Sequence, residues 1–339
     1  MGRRARTGRA GTTAALLAAA LTVSLAAAGC TGSGRPEPKD DGRGAEQART
    51  PGDEQSPEPS QSGQSELAGA SVLAVKIDNA RAARPHTGTD AADIIYAEQV
   101  EGGLSRLMAV YATRLPKTIG PVRSARESDL ELLRQFDHPT LAFSGAQGKL
   151  MPLINRAPLN PQTPGKTSGA YFRGTDKPAP HNLYLHPSRL LPSAPGADAL
   201  TTGFTYGAAP SGGKKDTSET VRYPAAGYSF TWSSSRDRYL VSMDGTPAVT
   251  TGGKRIAPAT VVVQYVKIRK SDFHDFLGNN TPYTETVGSG KAKVLRGGKA
   301  YDVRWERDKA TDGTTFTTTG GDPVNFAEGQ VWVLFAKAS

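Results

Sequence analysis

"ADIIYAEQVEGGLSRLMAVYA", Ala92 to Ala112, places two apolar runs on either side of Gly102-Gly103. Each run is short, carries β-branched and aromatic residues, and ends at a glycine turn. That is the pattern of two buried strands joined tightly, since a helix would need roughly 10–12 periodic residues. Upstream, "SVLAVKID" reads as another buried strand over Val72 to Ile77. Asp78, Asp93, Glu98 and Glu101 fall at or near the strand ends. Downstream, "IGPVRSAR" follows with a Gly-Pro bend, and Ser124 has Glu127 three residues on, the spacing of a capping box. This predicts a helix from there to about Phe136, with Leu130, Leu133 and Phe136 facing inward. "TLAFSG" is then a further short strand ending at Gly145.

The pattern changes near residue 205. Beyond the loop "APSGGKKDTSE" the apolar residues alternate: Tyr228, Phe230 and Trp232; Tyr239, Val241 and Met243; Val261, Val263 and Tyr265; Tyr301, Val303 and Trp305; Val331, Val333 and Phe335. Period two marks strand faces. Asp244-Gly245 and Gly297-Gly298 sit where two-residue hairpin turns belong. The expected fold class is therefore α+β: a mixed α/β N-terminal domain over 71–205, then a smaller, mainly antiparallel β domain over 219–337.

The N-terminus is an address. Arg3, Arg4, Arg6 and Arg9 precede an almost wholly apolar run from Ala14 to Ala28, closed by Gly29-Cys30. Residues 1–29 thus read as an export signal, too short in its apolar core for a span that needs ~20 residues. Cys30 is the only cysteine in the chain, and "LAAAGC" resembles the lipobox of bacterial lipoproteins. That resemblance implies cleavage before Cys30 and acylation of its thiol by fatty acids such as palmitate. Ala27 stands where lipoboxes prefer Leu, so cleavage by the general signal peptidase is the other route. Residues 31–70 are rich in Gly, Pro, Ser, Gln and charge, with Leu67 their only large aliphatic residue, and read as a disordered tether. Of the 41 Lys+Arg and 32 Asp+Glu, residues 1–29 hold 4 and 0, residues 30–70 hold 4 and 8, and residues 71–339 hold the remaining 33 and 24. A basic body on an acidic leash, placed outside the cell, has no nucleic acid to meet. Its counterions there are wall polymers or anionic headgroups.

"VKIDN", "ARPHTGTDAADIIYAEQVEGGLSRLMAVY", "IGPVRSAR" and "PHNLY", followed by "GSGKAKVLRGGKAYDVRW" and "GQVWVLF", resemble the YerB family of bacterial lipoproteins over residues 71 to about 337. The resemblance implies a mixed α and β fold with distinct N- and C-terminal parts. It carries no activity, because the family is one of unknown function.

Site candidates rest on the residues themselves. With Ser124 as cap, Arg126 falls in the first helical turn, where a cation is unfavourable by a few tenths of a kcal/mol and an anion is favoured. Arg123, Ser124 and Arg126, with Lys76, Arg84 and Arg106 behind them, therefore form a candidate anion site. The other reading is internal pairing of the arginines with Glu98, Glu101 or Asp129. Asp78, Asp93, Glu98 and Glu101 are candidate acid/base groups for a glycosidic bond, or partners of Lys76, Arg84 and Arg106. His181, Asn182 and Tyr184 of "PHNLY" line a pocket or anchor a loop. The environment of Ser144 lacks the first Gly of a nucleophile elbow, because Ala142 stands there. His86, His138, His181, His186 and His274 form no H-E-x-x-H, and "GKTSG" lacks the leading Gly of a P-loop. No metal and no cofactor are expected. Two functions fit: a lipid-anchored envelope module on the outer face of the cell membrane, binding an anionic wall polymer or a wall-synthesis protein, or a carboxylate-dependent hydrolase or transferase on wall glycan.

Overall fold

The structure is a computed structural model and describes residues 71–275 and 277–339. The expected export signal (1–29), Cys30 and the expected tether to residue 70 lie outside the described residues.

Elements of the N-terminal half run β1 (Leu73–Asp78), β2 (Ile94–Gln99), β3 (Ser105–Tyr111), α1 (Glu127–Leu133), β4 (Thr140–Ala142), α2 (Met151–Arg156) and β5 (Asn160–Gln162). A small hairpin of β6 (Tyr171–Arg173) and β7 (Leu183–Leu185) completes it. After β8 (Lys214–Lys215) come β9 (Ser218–Tyr223), β10 (Ala226–Ser233), β11 (Arg238–Met243) and β12 (Thr246–Pro247), which form a four-stranded sheet. Then follow β13 (Thr260–Val266), the hairpin of β14 (Ile268–His274) and β15 (Asn280–Thr284), and β16 (Gly288–Arg296), β17 (Lys299–Arg307), β18 (Thr315–Thr318) and β19 (Val331–Lys337).

One eleven-stranded mixed sheet unites the two halves, in the order β18-β17-β16-β13-β19-β2-β3-β1-β4-β5 with β8 on β17. The join is a parallel pairing of β19 with β2, Val331 opposite Ile94 through Leu334 opposite Ala97. Both faces of this sheet are covered, which is why its central strands read as continuous apolar runs. On one face Ala74, Tyr96, Met108, Val333 and Phe335 pack with Leu133, Phe136 and Ile154 from the helical layer. On the other, Val75, Ile95, Leu107 and Trp332 pack against Phe230, Tyr239 and Val241 of the four-stranded sheet. The hairpin turns stand where the glycines put them: Asp244-Gly245 joins β11 to β12 and Gly297-Gly298 joins β16 to β17, all four residues at positive φ.

The expected α+β class is corrected. The fold is mostly β, with two α-helices of seven and six residues among the described residues. The N-terminal half is not a mixed α/β domain, and the C-terminal strands belong to a mixed sheet that the halves share. Two physical reasons shorten α1 from the expected start at Ser124 and end at Phe136. At its start, Ser124 and Ala125 are already committed: Arg106 Nη1 donates to Ser124 O at 2.8 Å and Ala125 N to Gly145 O at 3.0 Å. Arg126 becomes the N-cap, its N–H donating to Asp129 Oδ2 at 2.7 Å. At its end, Arg307 Nη2 donates to Glu131 O at 3.0 Å and Gln135 Nε2 to Leu132 O at 2.8 Å, occupying carbonyls that a continuing helix would use.

Candidate functional site

Three strands set a row of charges on one sheet face. Asp78 of β1 and Glu98 of β2 lie opposite the same residue of β3, Arg106, from either side. Lys76 stands two residues from Asp78 on β1 and so points to the same face. The segment after Gly120-Pro121 is extended rather than a simple bend. It runs beside β1, with Asp78 N donating to Pro121 O at 2.9 Å and Arg123 N to Lys76 O at 2.8 Å. That delivers Arg123 and Arg126 onto the row, and α1 adds Asp129.

The outcome is a buried network of four cations (Lys76, Arg106, Arg123, Arg126) and four carboxylates (Asp78, Glu98, Glu101, Asp129), each no more than 6% exposed. Lys76 Nζ donates to Glu98 Oε1 and, at 2.7 Å, to Asp129 Oδ1. Arg126 holds Glu101 as a fork, Nε to Oε1 at 2.7 Å and Nη2 to Oε2 at 2.6 Å, while Thr281 Oγ1 also donates to Glu101 Oε1. Asp78 Oδ2 lies 3.4 Å from Arg123 Nε and 2.8 Å from His181 Nδ1. Ser124 meets Ser144, their hydroxyls 3.2 Å apart.

Proton affinities follow this arrangement. Burial pushes Glu98 up by more than Lys76 pulls it down, and Asp129 adds its like charge, which leaves Glu98 at about 7. Burial would also raise Asp78 and Glu101. The His181 bond and Arg123 hold Asp78 below the usual range, and the charge and bonds of Arg126 do the same for Glu101. Lys76 is pulled down by burial but raised on balance by Asp129 and Glu98, so it stays an ammonium. Arg106 is lowered by burial and by Arg126 and Arg123 beside it.

Other candidates lie off the network. Arg84 Nη1 bonds Asp244 Oδ2 at 2.7 Å and its Nη2 bonds Asn79 O at 2.6 Å, tying the segment after β1 to the β11–β12 turn. Asp93 accepts from Ala112 N at 2.7 Å and Thr113 N at 2.9 Å, a loop clasp at the opposite end of β2. Asn182 bonds Gly174 O at 2.9 Å and accepts from Arg173 at 2.9 Å; Tyr184 donates to Asp176 Oδ2 at 2.8 Å and accepts from Lys177 at 2.9 Å. Both hold the β6–β7 hairpin. Of "PHNLY", only His181 reaches the network, at its edge, with a side chain 18% exposed.

Sequence reading missed Asn79, Ser105, Tyr228 and Thr281. Asn79 Nδ2 donates to Ser105 Oγ at 3.0 Å and to Tyr228 OH at 2.7 Å, a polar plug beneath the four-stranded sheet. Tyr228 sat in the alternating pattern as a core residue, with no local signal for its hydroxyl. Asp129 did have a signal: it follows Arg126 by three, the spacing read instead for Ser124 and Glu127. Chemically, the network orients one imidazole, His181, by a buried carboxylate, an arrangement that suits proton transfer. Among the described residues no group bonds its other ring nitrogen, and no three His, Cys, Asp or Glu side chains gather as a metal site would require.

Comparison with known proteins adds the lineage. Residues 59–200 match the family described as "Protein of unknown function (DUF3048) N-terminal domain", and residues 219–333 match its C-terminal domain. A Bacillus subtilis (strain 168) protein named "Putative lipoprotein YerB" is 23% identical over 277 residues, covering 77% of this chain and 80% of the relative. The crystal structure of YerB from Bacillus subtilis shares the fold, with a TM-score of 0.66 at 18% identity, over 82% of this chain and 94% of that one. With both domains matched in order along one chain, the protein belongs to the YerB-like DUF3048 family.

Proposed function

We propose that this protein is an exported, lipid-anchored envelope module that binds an anionic wall component or envelope partner without cleaving it. One observation carries the choice against hydrolysis. A glycosidase needs two carboxyl groups facing a substrate across ~5–10 Å of accessible space, whereas Asp78, Glu98 and Glu101 are buried in bonds to cations and Asp93 is spent on backbone N–H groups. An outside anion at Arg126 would have to displace Glu101. The export pattern, the cysteine at its end and the name of the Bacillus relative support the anchor. The 33 to 24 excess of cations over acids in residues 71–339 supports an anionic ligand.

Two measurements test this. Cys30→Ala is expected to move the protein from the membrane to the soluble fraction, and a variant that stays in the detergent phase would remove the lipid anchor from the proposal. The full chain is expected to sediment with purified wall fragments and to release no soluble glycan. Glycan release that disappears in Asp78→Asn or Glu98→Gln would turn the reading to an enzyme.

A further inference from the structure

Among the described residues, clefts that carry cations include one with Arg296, Lys299 and Asp237 and two richer in arginine. Of these two, the first, about 270 Å³, includes Arg81 and Arg84, and Asp244 answers both of them, at 3.9 and 2.7 Å. The second, about 480 Å³, is different in charge. Arg114, Arg236, Arg238, Lys254 and Arg255 line it, against the single carboxylate of Asp90.

These side chains come from the segment between β1 and β2 (Asp90), the segment after β3, the β10–β11 turn and the first residue of β11, and the loop between β12 and β13, and Gln330 joins the lining from the approach to β19. The site is built rather than incidental. Arg255 is half-buried and fixed by main-chain carbonyls, its Nη1 donating to Ala248 O at 2.6 Å and also to Val241 O. Burial and the charge of Arg236 both lower its proton affinity, so it is held there against like-charge repulsion. Gln330 is pinned by three bonds, Nε2 to Thr89 O and Ala92 O at 2.8 Å and Oε1 from Trp332 Nε1 at 2.9 Å. Lys254 meets Asp90 at 3.0 Å and Arg238 lies 3.9 Å from Asp237, but among the described residues Arg114, Arg236 and Arg255 are in no ion pair. Arg255 is held by carbonyls and Arg114 Nη2 donates to Asp90 O at 3.3 Å, yet among the described residues none of the three meets a carboxylate, so a bound anion would relieve the like-charge repulsion among them.

We propose that this cleft binds a linear phosphodiester polymer, with Arg114, Arg236 and Arg255 on successive phosphates. Five cations in one groove call for repeated negative charge, more than one carboxylate supplies, and a guanidinium fork matches phosphate oxygens in pairs. A chain enters a concave groove and reaches half-buried Arg255. The headgroup plane of a bilayer does not, and the residues that line the cleft offer no large apolar side chain for insertion. The proposal rests on the binding function above and names its ligand class and surface.

The test uses the full chain in phosphatidylcholine vesicles, titrated with fluorescent poly(glycerol phosphate). Arg114→Gln/Arg236→Gln removes two exposed charges without touching the bonds that hold Arg255. It is expected to weaken binding about tenfold or more and to flatten the salt dependence, because fewer counterions are released. Lys291→Gln/Arg304→Gln removes the same charge from an exposed cross-strand pair outside the cleft, and is expected to change affinity less than about twofold. Equal weakening by both pairs would mean diffuse attraction only and would overturn the proposal. So would displacement of the polymer by phosphatidylglycerol vesicles at matched phosphate. A chain that sediments with wall fragments yet ignores the polymer loses the cleft assignment and keeps the binding function; one that does neither loses both.

Discussion

Arg126→Ala is expected to lower the free energy of unfolding by about 3–5 kcal/mol, the usual consequence of stripping one partner from a buried ion pair. Glu101 would keep only Thr281 and its own turn as hydrogen-bond partners, in a position where its side chain is 2% exposed. Arg126→Lys keeps the charge but not the fork that grips both carboxylate oxygens, so it should fall between the two. The double change Arg126→Met/Glu101→Leu removes both charges together and should recover much of the loss, since the penalty lies in the uncompensated charge more than in the absent pair. Denaturant unfolding of the four proteins, followed by the fluorescence of Trp232, Trp305 and Trp332, reads these differences directly. If Arg126→Ala costs less than about 1 kcal/mol while wall binding collapses, Arg126 is a ligand residue and not a strut.

The strands around Gly102-Gly103 were legible because burial on a sheet writes itself locally, as a short apolar run ended by a glycine turn. The alternating sets from Tyr228 to Phe335 were legible for the same reason, and so were their glycine turns. What alternation does not encode is the partner. Ile94 meets Val331 across more than half the chain, and nothing near either residue announces it. Hence each half was legible by itself, and the sheet that the two halves share was not. The site failed along the same line. Lys76 and Asp129 are 53 residues apart and touch only because the segment from Gly120 to Arg123 lies beside β1. The helix start was misplaced by two residues because Ser124 carries the right side chain for a cap, while the sheet had already claimed its carbonyl through Arg106. The basic cleft was invisible to a linear reading: "SSSRDR" and "GGKRIAP" are ordinary charged loops until the fold brings them up to Arg114.

Glu98→Gln should reveal a pH dependence that the natural protein conceals. In the fold Glu98 titrates at about 7, against an ordinary 4.5, so between those values the folded chain holds a proton that the unfolded chain has released. Stability from this group is complete below the unfolded value and is lost as pH rises through 7. His86 works the other way. It is buried, its Nε2 2.8 Å from Asp78 O, and burial, aided by Arg84, lowers it to about 4 from 6.5. Its contribution is lost as pH falls from 6.5 toward 4. The two slopes oppose each other over pH 4.5–6.5, so the natural protein should vary less there than either group alone would make it, and Asp78 and Glu101, both held low, add losses only in more acid solution. Removing Glu98 leaves the His86 slope exposed: the Glu98→Gln protein should gain stability steadily from pH 4.5 to 6.5. Lys76→Met is the sharper change, because it leaves Glu98 and the fully buried Asp129 as like charges with no cation between them. It should cost about 3–5 kcal/mol near pH 8 and clearly less at pH 5, where Glu98 takes up a proton. Equal losses at both pH values, together with a Glu98→Gln protein that keeps the pH dependence of its parent, would show that Glu98 does not titrate near neutrality and that Lys76 holds two permanent carboxylates.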